Sequence, residues 1–121
     1  MKLTKVIPKI FYSDINHGLE LFIEVLGFAI RYKEDGPPFY IVDRDGVTLM
    51  LVEDDEFAGK DRPEIRIDTD DIDILYNELL SKPTQLFHPN LNKVKLQPWG
   101  LKEFALRDKS DVCVIVQQSN A

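Results

Sequence analysis

The sequence predicts an α+β fold of two βαβββ modules, whose two curved, mixed sheets pair around a cleft. Three observations carry that expectation. A strand–helix–three-strand pattern fills about the first fifty residues, the same pattern returns after a polar stretch at 56–62, and the two copies align residue on residue. The 121 residues are therefore expected to form one domain, with modules at about 1–55 and 63–119 joined by the polar linker 56–62. That length suits one compact domain or two small repeats sharing a core.

In the first module, residues 5–12 are apolar and rich in β-formers, and they stop at Ser13-Asp14. Asp14 or Asn16 is expected to cap the next helix, since a short polar side chain there accepts from N–H groups the first turn leaves unpaired. In HGLELFIEVLGF, the residues Leu19, Phe22, Ile23 and Leu26 recur at helical spacing and predict the buried face. Gly27 supplies the left-handed residue expected just past the helix. FAIRYKED alternates like a half-buried strand until Gly36-Pro37-Pro38 breaks it. FYIVDRDGVTLMLVED reads as a hairpin turning at Arg44-Asp45-Gly46.

The second module repeats this order. EIRID is a strand, and Asp70-Asp71 begin a helix with Ile72, Leu75, Tyr76 and Leu79 on one face. Lys82-Pro83 ends it. QLFHPN and KVKLQPWG supply strand-like runs, and KEFALRDKSDVCVIVQQ forms the last hairpin around residues 108–111. A shift of 57 places Ile10 on Ile67, Asp14 on Asp71, Ile15 on Ile72 and Leu19 on Tyr76. A shift of 65 places Phe39 on Phe104, Asp43 on Asp108, Val47 on Val112, Leu49 on Val114 and Leu51 on Val116. The eight-residue difference falls between helix and hairpin, where loops absorb insertions at little cost.

Composition narrows the function. At 44% hydrophobic and 30% charged, the chain is ordinary globular material. No apolar run approaches membrane-spanning length, and the N-terminus lacks the apolar core of a secretory signal. A cytoplasmic protein without membrane association is expected. The net charge of −6 and pI near 4.8 count against nucleic-acid binding. They favour solubility and would attract a cationic small ligand, and are equally ordinary for a mildly acidic cytosolic protein. The single cysteine, Cys113, sits in the apolar run VCVIV and suggests a buried strand thiol. No nucleophile elbow or phosphate-cradling glycine loop occurs. His17 and His88 lack the spacing of a metal pair. The acidic runs at 54–56 and 68–71 lack the spaced carboxylates of a calcium loop, and are expected to be solvated or helix-capping charges.

The duplicated βαβββ pattern, with D…LELFIEVLGF in its first half, resembles the vicinal-oxygen-chelate superfamily of glyoxalase I, extradiol dioxygenases, and fosfomycin- and bleomycin-resistance proteins. Within it, QPWGLKEFALRD at residues 97–108 resembles the QPWG-REFALRD motif of the bleomycin-resistance proteins, with Leu101 or Lys102 as an extra residue. The opening MKLTKVIPKI and the run DGVTLML fit as well. The resemblance spans nearly the whole chain and is weakest at residues 54–64 and 80–94.

Enzymes of that superfamily hold a divalent metal on four inward side chains. The resemblance maps those positions to Ile7, Met50, Glu64 and Ile115, three of which cannot ligate a hard cation. It therefore implies no resident metal and no cofactor. It implies instead a homodimer that binds a planar, cationic drug in a crevice between subunits. Trp99, Phe39 and Tyr40 would be its aromatic contacts, Asp35 and Glu64 its carboxylates, and Met50 a further contact. Trp offers a large stacking face and the best cation–π surface. By residue type alone, Trp99 suits a cleft or a structural cap equally well. Pro8 fits the N-terminal strand exchange between subunits that this resemblance implies, or an ordinary edge strand. Two other readings stay open: a metal-dependent glyoxalase- or dioxygenase-type enzyme centred on Glu64, and a diverged module for an endogenous metabolite.

Overall fold

The computed structural model describes residues 1–60 and 63–119 and divides into two compact units, Met1–Asp61 and Arg62–Ala121. Module 1 contains β1 (Lys9–Tyr12), α1 (Ile15–Leu19) continuing as a π-helical segment (Glu20–Val25), β2 (Ala29–Asp35), β3 (Pro38–Arg44), β4 (Val47–Glu53) and α2 (Asp55–Ala58). Its sheet order is β1-β4-β3-β2, with β1 parallel to β4 and the other pairs antiparallel. Module 2 contains β5 (Glu64–Asp68), α3 (Ile72–Leu80), β6 (Lys95–Leu96), β7 (Leu101–Arg107) and β8 (Cys113–Ser119). Its order, β5-β8-β7-β6, repeats that of module 1.

The duplication extends to individual bonds. Both helices are capped by an aspartate, though through different groups: Asp14 accepts from the N–H of Asn16, two residues on, at 3.0 Å, and Asp71 from that of Ile74, three residues on, at 3.1 Å. Asp14 rather than Asn16 is thus the cap. Each last strand also sends a side chain to its helix: Glu53 Oε2 accepts from Ile15 N–H at 3.0 Å, and Gln118 Oε1 from Ile72 N–H at 2.7 Å. Ile10 pairs with Leu51 as Ile67 pairs with Val116. In module 1 the core lies between the helix (Ile15, Leu21, Phe22, Val25, Leu26) and Ile10, Tyr12, Val42, Leu49 and Leu51, all buried. In module 2, Ile72 and Leu79 pack toward Phe104, Leu106, Val114 and Val116. The two helix–strand seams exchange bulk. A Cβ on Gly18 would fall 2.6 Å from the Tyr12 ring, whereas the corresponding positions in module 2 are Leu75 and Thr69.

Several local expectations need correction. Val42 pairs with Leu49, and Leu106 pairs with Val114, so Phe104 corresponds to Tyr40 and Asp108 to Arg44. The expected matches of Phe39 to Phe104 and Asp43 to Asp108 are each one residue off. The cause is the turn. Asp45 and Gly46 both have positive φ and close a two-residue turn, while Asp108 N–H bonds to Val112 O around a three-residue one. Seven of the eight extra residues therefore lie between helix and hairpin, and the eighth lies in the turn.

Leu19 and Ile23 are only partly covered, while Leu21 and Val25 are buried. The i→i+5 bonds of the π segment, such as Leu26 N–H to Leu21 O at 2.9 Å, turn the buried face away from the 3.6-residue pattern. β2 is exposed throughout rather than half-buried, because it is the sheet edge and a bulge between Ile30 and Tyr32 breaks its alternation. QLFHPN contributes only the isolated bridge Phe87–Leu106, and KVKLQPWG only the two residues of β6. The polar stretch expected as linker starts as α2, capped by Asp54, and its end, 61–62, lies outside the described residues. Among the described residues no helix is long and apolar enough to cross a membrane.

Candidate functional site

In module 2 the sheet face turned away from α3 carries Glu64, Arg66 and Asp68 from β5, Cys113, Ile115 and Gln117 from β8, and Glu103 and Ala105 from β7, in register. At its end the QPWG sequence forms a three-residue hairpin loop. Gln97 N–H bonds to Leu101 O at 2.8 Å and Gly100 N–H to Gln97 O at 2.9 Å, with Gly100 at φ +95°. This is a tight turn followed by a left-handed residue, which explains Pro98 at the position that favours φ near −65° and glycine at the position of positive φ. Trp99 sits between them at the apex.

The Trp99 side chain is fixed at one edge and open on its face. Its Nε1–H donates to Glu103 Oε2 at 2.9 Å, yet the residue is 62% exposed. Glu103 is buried to 1% exposure and needs charge compensation. Arg66 provides it, with Nη1 3.0 Å from Glu103 Oε2 and 3.0 Å from Gln117 Oε1. Gln117 Nε2 then donates to Asp68 Oδ1 at 2.7 Å. Arg66 Nε also lies 3.6 Å from Glu64 Oε2. A chain of polar contacts thus runs from Asp68 to the indole and holds the ring at its hydrogen-bonding edge. Burial, then the Glu64 carboxylate, pushes the Cys113 thiol above its ordinary range, with Arg66 and Arg107 pulling weakly the other way.

No protein-family model matches the sequence. A bleomycin resistance protein from Geobacillus stearothermophilus is 26% identical over 117 residues, covering 84% of this chain and 86% of the relative. Among solved structures, the bleomycin-binding protein from Streptomyces verticillus, complexed with copper(II)-bleomycin, is similar at TM-score 0.74 and 20% identity, covering 100% of this chain and 98% of the other. A glyoxalase-related enzyme from Clostridium phytofermentans is similar at TM-score 0.69 and 15% identity, covering 98% and 97%. This is the vicinal-oxygen-chelate fold. Binding proteins and an enzyme-related protein both carry it.

The metal that vicinal-oxygen-chelate enzymes hold does not fit the residues of this chain. At the positions to which the resemblance maps that metal, Ile7, Met50 and Ile115 offer no donor to a hard cation. Glu64, the one carboxylate at those positions, faces the Arg66 guanidinium, whose charge opposes a second cation. Among the described residues no group of three or more His, Cys, Asp or Glu side chains is placed to hold a metal ion.

The other expected contacts scatter. Phe39 and Tyr40 are neighbours in strand β3 and therefore point to opposite faces. Phe39 packs edge-on to Tyr32 at 5.8 Å between ring centres, on the face that also bears Met50. Tyr40 lies on the helix side, lining a groove. Asp35 is 86% exposed and 3.6 Å from Lys33 Nζ. Pro8 precedes β1, and its carbonyl accepts from Met50 N–H at 2.9 Å. Glu103, Arg66 and Gln117 are absent from the sequence-based set, although Glu103 lies inside the recognised motif. The available signal was a carboxylate within the alternating run KEFALR, four residues after a tryptophan.

Proposed function

We propose that this chain binds and sequesters a planar, cationic small molecule of the bleomycin kind without altering it, as a cytoplasmic homodimer holding the ligand between subunits. The observation that carries the reading is Trp99, a large ring left open to solvent at a hairpin apex while its N–H is held by the buried Glu103. A flat surface whose orientation is already set loses little freedom when a second flat ring stacks on it. The similarity to bleomycin-binding and bleomycin resistance proteins supplies the ligand class. The poor fit of the fold's metal positions supports binding over chemistry. Glu64 and Asp35 already face Arg66 and Lys33, so ring stacking and the overall charge of −6 carry recognition more than any single counter-ion.

Trp99 is the only tryptophan, so intrinsic fluorescence reports on it directly. Titration with metal-free bleomycin is expected to quench that fluorescence and saturate at one drug per chain. Calorimetry on Trp99→Ala should show affinity reduced by about 10-fold or more, equivalent to about 1.4 kcal/mol. Absence of both quenching and heat in the native chain would remove bleomycin as the ligand class.

A further inference from the structure

The first module has a groove where the second packs three aromatic rings. Between its helix and β2–β3 lies a groove of about 470 Å³, lined by Leu19, Ile23, Ile30 and Tyr40 with Glu20 and Glu24. The register of the two sheets identifies the same place in module 2. Tyr40 corresponds to Phe104, and Leu19, five residues after the capping aspartate, corresponds to Tyr76. Ile30 pairs with Val42 in β3 as Phe87 bridges to Leu106 in β7, so Ile30 corresponds to Phe87. Module 2 thus fills this space with three rings of its own: Tyr76 to Phe87 at 5.1 Å, Tyr76 to Phe104 at 5.2 Å, and Phe87 to Phe104 at 6.0 Å. Module 1 has leucine and isoleucine at two of the three positions, and the missing ring volume appears as the groove.

From this we infer that the helix-side groove of module 1 is a second ligand site, separate from Trp99, that takes a small aromatic ring bearing a protonated amine. The ring requirement follows from module 2, where the same framework closes around an aromatic side chain. The size fits, since small-molecule sites of about 300–1,000 Å³ are usual. The charge requirement comes from the wall. Glu20 and Glu24 lie one turn apart on the π segment against a single lysine in the lining, Lys33, whose ammonium is 3.6 Å from Asp35 and 5.9 Å from the centre of the Tyr40 ring, so the lining is net negative. A cation is therefore favoured and a carboxylate is not. Tyr40 contributes a ring for edge or offset stacking.

The test is a ¹⁵N-resolved NMR titration of the full chain with 2-phenylethylamine. Saturable shifts are expected at helix residues 15–26 and along β2 and β3, with Trp99 fluorescence unchanged and Trp99→Ala binding as the native chain does. Ile30→Phe restores the ring that module 2 carries and should weaken the amine by at least ~10-fold while leaving the rest of the spectrum in place. Ile30 is 48% exposed, so this variant is expected to fold. Glu20→Gln with Glu24→Gln should weaken 2-phenylethylamine by several-fold and leave neutral 2-phenylethanol unaffected. No shifts, shifts centred on residues 97–103, or undiminished binding in Ile30→Phe would overturn the site. Equal losses for amine and alcohol in the double variant would overturn the cation requirement. Failure here leaves the bleomycin titration at Trp99 untouched, and the reverse holds.

Discussion

Module 1 and module 2 share one topology, one pattern of helix caps and one pattern of strand-to-helix bonds, yet they spend their aromatic residues differently. Module 2 packs Tyr76, Phe87 and Phe104 against one another under its helix and leaves its opposite face to a charged network ending at Trp99. Module 1 leaves a groove beside its helix and places Phe39, on the half-buried β3, against Tyr32 on the exposed edge strand β2. The difference shows that the βαβββ frame is held by a small common set: the cap, the β1–β4 or β5–β8 ladder, and the buried aliphatic rows. Side chains beyond that set are free to fill space or to leave it.

The sharpest way to break the comparison is to remove the corresponding ring from each module. Phe104→Ala empties a fully buried position and should cost about 3–5 kcal/mol, whereas Tyr40→Ala, at the groove wall, should cost about 1 kcal/mol. Urea unfolding followed by circular dichroism checks both, and equal losses would contradict the contrast. Arg66→Met, which strips the buried Glu103 of its cation, is expected to cost about 2–3 kcal/mol, below the full buried-pair range because Arg66 is 42% exposed. Adding Glu103→Gln should recover most of that loss and shift the Trp99 emission, which a double-mutant cycle would show. Gly18→Ala sets a better helix former against a clash with the buried Tyr12 ring, and overpacking of about 1–3 kcal/mol should win. Leu75→Ala in module 2 has no such clash and tests the exchange of bulk from the other side. The smallest effect concerns Cys113. Its alkylation rate should rise with pH around a midpoint above the ordinary thiol range, and Glu64→Gln should lower that midpoint, because the carboxylate disfavours the thiolate. An unchanged midpoint would mean that burial alone sets it.

What the sequence disclosed was whatever its local chemistry decides. Asp14 and Asp71, Gly27 at φ +72°, and the Asp45-Gly46 turn are each fixed by a backbone requirement that few residues meet, and all occupy their expected places. The repeat was legible because buried strand positions must be apolar in both copies. Leu19 and Ile23 misled, because a π segment is imposed by packing and not announced by spacing. The ring trio was hidden because Phe87 meets Phe104 across an irregular loop whose register no periodicity reveals. The motif around Trp99 was conspicuous, but its support was not. Glu103 finds its cation 37 residues away, and a carboxylate in a strand gives no local sign of its partner.

The bond from Glu53 to the start of α1, mirrored by Gln118 and α3, bears on how the chain comes together during synthesis. The strand made last in each module occupies the second place in its sheet, beside the strand made first, and it also carries an acceptor for the helix between them. A nascent chain ending before residue 47 therefore has a β1 with no neighbour and a helix lacking that acceptor. Its β2–β3 hairpin can form early, since its contacts are local, but closure waits for a contact spanning some forty residues. On this topology neither module can complete its sheet until its final strand pairs with its first.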